Sequence, residues 1–455
     1  MSTPQNEFIE KFSESLYNDK GVYFIGSGLS VPSSLPDWSQ LISEFVKSIG
    51  ILEIFETDDL PLLAQYYVNK KSKKSLFKKL KYDFSGKKIN EYHQILTKTP
   101  LTSIWTTNYD DLIEKAFDKE SVLKVRDSEA FNYDVQKNNI EIIKVHGSIN
   151  GDINDFVITQ SDYEDFFVNK PALVQRLKVE LLQKMFVFVG YNYGDPNIQN
   201  ILIEVRRLKS DSNSIKHYIL LKEKKKDKKF QLWCQNLERY NIYPVLFDDY
   251  RDLRVILKKI SLKARGKSVF VTGSHLNNDS ENLDILSRYL IENEIILVNG
   301  QSQGIMESVF RSFTTLCTKE NIDYKSRLKL FANPYAANPR FADDLNLLTN
   351  LKEFRTPLMK STRVVIAFDG RNGTCAELDV AIEKGCEIIP YFKDEKFQTW
   401  QYLDKIDGLR DEYKEKILNK SLTIFDLIIE LKSKFRSVPN KVKNGGNLYS
   451  RDCYI

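Results

Sequence analysis

The residues best suited to chemistry stand where apolar runs give way to polar turns. The run Ile104 to Thr106 ends at Thr107 and Asn108, with Asp110 two residues further on. A second run, Ile140 to Val145, ends at His146 and Gly147, and a third, Val22 to Ile25, ends at Gly26, Ser27 and Gly28. In a parallel α/β sheet, ligands bind beyond the carboxyl ends of strands. An asparagine and an aspartate there face a bound ligand from a rigid base. A histidine with an ordinary pKa of about 6.5 accepts a proton near neutral pH, although one that ends a strand can equally just cap the sheet. Glycines directly after a strand let the backbone approach a phosphate. Taken alone, Gly26-Ser27-Gly28 reads more readily as a tight turn.

The elements that must position these residues follow from periodicity. Residues 7–18 are amphipathic at helical spacing, and Val22 to Ile25 reads as a buried strand. Asp37 is a natural N-cap for a helix from Trp38 to Ile49. The lysine-rich stretch Leu62 to Lys81 reads as one helical region with a solvated face, and Glu91 to Lys98 as a helix whose His93 is structural. Phe156 to Thr159 reads as a short strand and Ala172 to Lys184 as a helix. Met185 to Val189 is a strongly apolar strand ending at Gly190, and Pro196 suits the first turn of the next helix. His217 to Leu221 and Ile242 to Phe247 close the series. Strands alternating with helices indicate a doubly wound parallel sheet of the α/β class.

Composition bounds the rest. With 455 residues the chain is expected to form two domains, and 42% hydrophobic residues supply globular cores. The net charge of +5, from 67 basic and 62 acidic residues, points to no polyanionic partner. The basic run Lys222 to Lys229 reads as a solvated face, and without an aromatic–basic platform nucleic acid is not expected. The five cysteines are scattered with no C-x-x-C pair, which suits a reducing cytoplasm and suggests no metal site. No apolar stretch approaches the roughly 20 residues needed to span a bilayer, so a soluble cytoplasmic protein is expected.

Taken in order, three segments resemble the NAD-site motifs of the sirtuin (Sir2) family over roughly residues 5–250. They are Gly26-Ser27-Gly28 and Ser30 with Leu35-Pro36-Asp37, then Thr106 to Asp110, then Val145-His146-Gly147. The resemblance implies that Gly26, Ser27 and Gly28 hold the NAD pyrophosphate. It makes Asn108 the residue that positions ribose and nucleophile, Asp110 a contact to the nicotinamide carboxamide, and His146 the general base. Gly190, Asn192 and Asp195 fall near the adenosine end. The zinc-binding cysteine pairs of deacetylase sirtuins have no counterpart, and Asp37-Trp38-Ser39 stands where Asp-Phe-Arg is usual. The set instead resembles bacterial Sir2-like NAD glycohydrolases of antiphage defence. Nicotinamide is already a cationic leaving group. Such an enzyme needs only to stabilise an oxocarbenium-like ribose and deliver water, with NAD+ as substrate and neither metal nor cofactor.

A second sheet starts after a junction near Gly266. Strands end at Gly273-Ser274, at Gly300 with Gly304 following, and at Asp369-Gly370-Arg371-Asn372-Gly373-Thr374, with Thr374 expected to cap a helix. Glu377, one turn into that helix, is either a capping-box partner or a ligand contact. This pattern resembles the SLOG family of Rossmann-like nucleotide sensors, with Arg355 matching an arginine of related enzymes. A Sir2-like domain (1–260) followed by a SLOG domain (267–455) is similar to the effector family of Thoeris antiphage systems. That resemblance implies a cyclic ADP-ribose isomer, made by a TIR-domain partner enzyme, as activator. Its diphosphate suits Arg355, Lys360 and Arg371 with the Gly373-Thr374 loop, while Arg355 and Arg371 read equally as ordinary surface cations. It also implies a homotetramer or larger assembly. The alternative is a non-catalytic NAD- or ADP-ribose-binding sensor or scaffold.

Overall fold

Apolar runs ending at polar turns become the strands of two parallel sheets. A computed structural model of the chain describes residues 5–55, 58–117, 122–125, 127–131, 140–191, 195–208, 215–274, 280–331, 333 and 345–435. The chain divides into two units, Met1–Thr97 with Leu101–Ser261, and Lys98–Pro100 with Leu262–Ile455.

The first unit holds β1 (Gly21–Ile25), β2 (Ser103–Thr106), β3 (Val122–Val125), β4 (Ile140–Lys144), β5 (Met185–Val189), β6 (His217–Lys222) and β7 (Ile242–Phe247). Their order is β3-β4-β2-β1-β5-β6-β7, every pairing parallel. Every residue of the central β1 is buried, as expected for a strand covered on both faces. The register matters for the site. Ile25 pairs with both Thr106 and Val189, and Thr106 pairs with Lys144. Strands β4, β2, β1 and β5 therefore end level, and the turns after them emerge at one edge.

Three expectations change. The stretch 62–81 is two helices, Leu60–Lys70 and Lys73–Phe84, divided at Ser72, whose side chain accepts from the Ser75 amide to start the second. Phe156 to Thr159 joins no sheet. Phe156, Val157 and Ile158 are all buried, which mimics a strand in sequence, but the segment packs beside the sheet with Val157 N–H donating to the His146 carbonyl. Strand β3 was not foreseen.

The second unit holds β8 (Ser268–Thr272), β9 (Ile296–Asn299), β10 (Leu328–Leu330), β11 (Val364–Phe368) and β12 (Glu387–Tyr391). Their order is β10-β9-β8-β11-β12, again parallel throughout. Its core packs Val269, Val271, Ile366 and Leu297 of the sheet with Phe313, Leu378 and Leu427 of flanking helices. Both units are α/β. Among the described residues no helix is long and apolar enough to cross a membrane.

Candidate active site

The turns after β1 and β5 cross at van der Waals distance. Gly26 N–H donates to the Val189 carbonyl (3.0 Å) and Gly28 N–H to the Gly190 carbonyl (2.8 Å). A Cβ on Gly26 would lie 2.4 Å from that Gly190 oxygen. One on Gly190, whose φ is +63°, would lie 2.5 Å from the Leu29 nitrogen. Only glycine fits at this crossing. Two of the loop amides are thus spent within the protein.

The turn after β2 is tied to this loop. Thr106 Oγ1 donates to the Ile25 carbonyl (2.9 Å) and accepts from the Asn108 amide (3.0 Å). Asn108 Nδ2 donates to the Gly26 carbonyl and to Ser30 Oγ, both at 3.3 Å. Ser30 Oγ in turn donates to Asp110 Oδ2 (2.9 Å), while Asp110 Oδ1 accepts from the Leu112 amide (3.0 Å) at the start of a helix. Beneath, Lys144 Nζ donates to the Asp110 carbonyl and pairs with Glu114 (2.9 Å), both side chains nearly excluded from solvent. Asn108 Oδ1 is buried and has no hydrogen-bond partner among the described residues. A buried amide oxygen left unsatisfied costs free energy unless a ligand or water meets it.

His146 is held by the turn after β4. Gly147 has φ +88°, and a Cβ there would meet the Asp155 carbonyl at 2.7 Å. The imidazole is buried, edge-on to Tyr163 and Phe166. Its Nε2 lies 3.2 Å from Asp195 Oδ2, close enough for ion pairing but out of line for a hydrogen bond. The other Asp195 oxygen accepts from the Asn197 (3.0 Å) and Ile198 (3.1 Å) amides, capping the helix Pro196–Leu208. Burial holds the imidazolium pKa below its ordinary value and the Asp195 charge opposes that shift, leaving a net lowering.

These groups open on one pocket of about 400 Å³. Gly26, Ser27, Ser30, Asp37, Asn108, Asp110, His146 and Asp195 line it together. Gly28 and Gly190 are not in the lining; they form the crossing behind it, and Asn192 lies outside the described residues. Sequence reasoning missed Asp58, Asp59 and Tyr163, which also face the pocket. Asp59 left a signal, because it precedes Leu60-Pro61 and caps that helix as Asp37 caps its own in a full capping box. Trp38, Tyr109 and Tyr191 add aromatic walls, and among the described residues no lysine or arginine lines the pocket. Among the described residues no group of three or more His, Cys, Asp or Glu is arranged to hold a metal ion.

In the second unit the expected residues divide. Arg355 is buried. It pairs with Glu377 (2.7 Å) and donates to the Gly300 carbonyl (3.0 Å) and Ser302 Oγ (2.7 Å). A Cβ on Gly300 would stand 2.1 Å from the guanidinium. Glu377 also accepts from Thr272 Oγ1, so it serves the ion pair, not a capping box. Thr374 does not cap: the helix begins at Asn372 with Arg371 as N-cap, and Thr374 sits buried in the first turn against Gly370. Ser274 is buried, its N–H on the Asp369 carbonyl, beside the half-buried Gly273. Gly304, at φ +85°, and Lys360 are half-buried, while Arg371, Asn372 and Gly373 are exposed.

Known proteins fit this arrangement. The SIR2-like domain family matches residues 102–245. The NAD(+) hydrolase ThsA of Cytobacillus dafuensis is 28% identical over 438 residues, covering 86% of each chain. That of Bacillus cereus (strain MSX-D12) is 29% identical, covering 66% of this chain and 67% of the relative. That of Enterococcus faecium is 31% identical, covering 66% of this chain and 69% of the relative. At that identity and coverage, with a Sir2-like sheet whose strand-end turns meet at one pocket, the chain belongs to the ThsA family.

Proposed function

We propose that the first unit hydrolyses NAD+ to nicotinamide and ADP-ribose in this pocket, and that the second unit switches the activity. The observation that carries the reading is the buried Asn108 Oδ1, without a hydrogen-bond partner among the described residues, beside His146 in an acidic, aromatic pocket. A neutral amide oxygen orients a ribose hydroxyl or water with no charge of its own. Water adds to the anomeric carbon as the carbon–nitrogen bond breaks, its electron pair leaving with neutral nicotinamide, and the water's proton passes to His146. Asp195 beside Nε2 favours the tautomer protonated there and leaves Nδ1 as acceptor. Asp110 contacts the carboxamide, and Ser27, Ser30 and Asp37 bind the rest of the dinucleotide with the segment from Gly190 to Asp195. The acidic and aromatic side chains among the described lining residues suit a cationic nicotinamide.

In the second unit, a SLOG-type domain over residues 267–455, the activator is a cyclic ADP-ribose isomer made by a TIR-domain enzyme. Its anionic diphosphate meets Arg371 and the Asn372-Gly373-Thr374 helix start, near Gly273, Ser274, Gly300 and Gly304, while the Arg355–Glu377 pair holds the strand ends in place. Lys360 is not part of this site: it ends its helix four residues before β11, at the opposite edge of the sheet, where the neighbouring Met359 and Thr362 carbonyls accept from Arg265. The protein acts in the cytoplasm in antiphage defence, as a homo-oligomer. Purified protein incubated with NAD+, with and without cyclic ADP-ribose isomers, tests this directly. Nicotinamide release that rises with one isomer and vanishes in Asn108→Ala is the expected result. No release under any condition makes the chain a non-catalytic NAD or ADP-ribose sensor.

A further inference from the structure

The loop from Leu29 to Ser34 joins the glycine crossing to the pocket wall, and one side chain outside the site holds it. Asn90 Nδ2 donates to the Leu29 carbonyl and to Ser33 Oγ, both at 2.9 Å. Lys87 Nζ adds a bond to the Ser34 carbonyl (2.8 Å), where the backbone turns left-handed at φ +61°. Between the two held positions lies Ser30, whose hydroxyl accepts from Asn108 and donates to Asp110. The Asn90 amide therefore fixes the segment whose hydroxyl sets the two side chains expected to meet ribose and nicotinamide.

The other face of Asn90 is anchored. Its Oδ1 accepts from the Tyr92 (2.9 Å) and His93 (3.4 Å) amides at the start of the helix Glu91–Lys98, and its own N–H donates to His93 Nδ1 (3.2 Å). That helix is pinned in turn. Glu91 pairs with Arg254 and Lys258, each at 2.6 Å, and Tyr92 Oη donates to the Tyr250 carbonyl (3.0 Å). All three partners lie on the helix Tyr250–Lys263, through which the chain leaves the first unit. The two halves of one amide thus do separate work: oxygen to the anchored helix, nitrogen to the pocket loop.

We infer that Asn90 is a positioning residue for the reaction, its NH2 group clamping the Leu29–Ser33 loop so that Ser30 holds Asn108 and Asp110 in register. This rests on the proposed NAD+ hydrolysis for its kinetic consequence, but not for its structural one. Asn90→Asp separates the two roles, because a carboxylate still accepts from the helix amides and no longer donates to Leu29 or Ser33.

The experiment compares the full-length protein with Asn90→Asp and Asn90→Ala by three measurements: nicotinamide release at varied NAD+, NAD+ binding read by quenching of Trp38, and amide hydrogen exchange. In Asn90→Asp, exchange over residues 29–34 should quicken by about tenfold or more while that of residues 91–98 stays unchanged, the loss expected when two hydrogen bonds of modest net strength are removed. NAD+ affinity should weaken by a similar factor, and kcat/KM should fall with it, more through KM than kcat. Asn90→Ala should show the same loop effect and quicken the helix as well. Unchanged exchange and affinity in Asn90→Asp overturn the clamp, as does quickening confined to the helix. If wild-type protein releases no nicotinamide, the proposed reaction fails, and the binding and exchange results still decide the clamp.

Discussion

Asp195→Asn separates the catalytic from the structural work of one carboxylate. Its Oδ1 caps the helix Pro196–Leu208 and its Oδ2 stands 3.2 Å from His146 Nε2. Asparagine caps as well as aspartate, so the amide oxygen keeps the cap and the fold loses little stability. The amide nitrogen then faces Nε2 as a donor. That draws the imidazole into the tautomer protonated at Nδ1 and removes the acceptor the reaction needs. A hydrogen bond to a charged group contributes about 1.5–3 kcal/mol, so kcat for nicotinamide release should fall about 10- to 150-fold. The present misalignment does not lower that figure, because such bonds tighten with substrate bound. The sign in pH is fixed as well. A carboxylate beside the imidazolium raises its pKa against the lowering by burial. Removing it moves the acidic limb of the pH–rate profile to lower pH while the plateau drops. Steady-state rates from pH 5 to 8, with a thermal melt of each protein, measure both. An unchanged plateau and limb would refute the assignment, as would a loss of rate matched by an equal loss of stability.

Two further outcomes follow from buried groups. His93 is buried with Nδ1 accepting from Asn90, and burial pushes its pKa down to about 4. The folded pKa lies below the unfolded one, so the stability is fully present above pH 6.5. It declines as the unfolded chain takes up the proton, by up to about 3 kcal/mol at pH 4. Chemical unfolding at pH 7, 5.5 and 4.5 should show a shallower decline in His93→Gln, and equal slopes would contradict the account. In the second unit, Arg355→Met strands Glu377 in the core with Thr272 as its remaining donor. The calorimetric transition of that unit should lose about 3–5 kcal/mol, with partial recovery in Arg355→Met/Glu377→Gln. An unshifted transition would refute the arginine's structural role.

Much of this was legible because the signals were local. Gly26, His146 and Gly190 each follow an apolar run directly and Asn108 stands two residues beyond one, and level registers bring such positions to one sheet edge. Asp58, Asp59 and Tyr163 reach the pocket from outside those turns; a local pattern marks Asp59 as a helix cap, but none places these three at the pocket. Phe156 to Ile158 misled for the opposite reason. Full burial came from packing against other elements, as Tyr109 Oη donates to the Val157 carbonyl and stacks on Phe156, and not from a sheet position. Thr374 was read as a cap from its residue type, whereas the helix begins two residues earlier and the hydroxyl is buried against Gly370. Arg355 stood as a candidate diphosphate contact because a sequence does not display the carboxylate that will neutralise it.

The aspartates around the pocket carry an evolutionary consequence. Asp37, Asp59, Asp110 and Asp195 each face the cavity with a carboxylate that also receives backbone amides at the start of a helix. Selection on catalysis and selection on folding therefore act on the same side chains. A lineage under pressure to silence the enzyme while keeping the protein loses a cap with most replacements at these positions, asparagine excepted. Asn108 is the cheaper exit, because its side-chain oxygen supports no helix and its loss leaves every cap in place. Inactive homologues that still fold should carry their first lesion at the asparagine and retain the aspartates long after activity is gone.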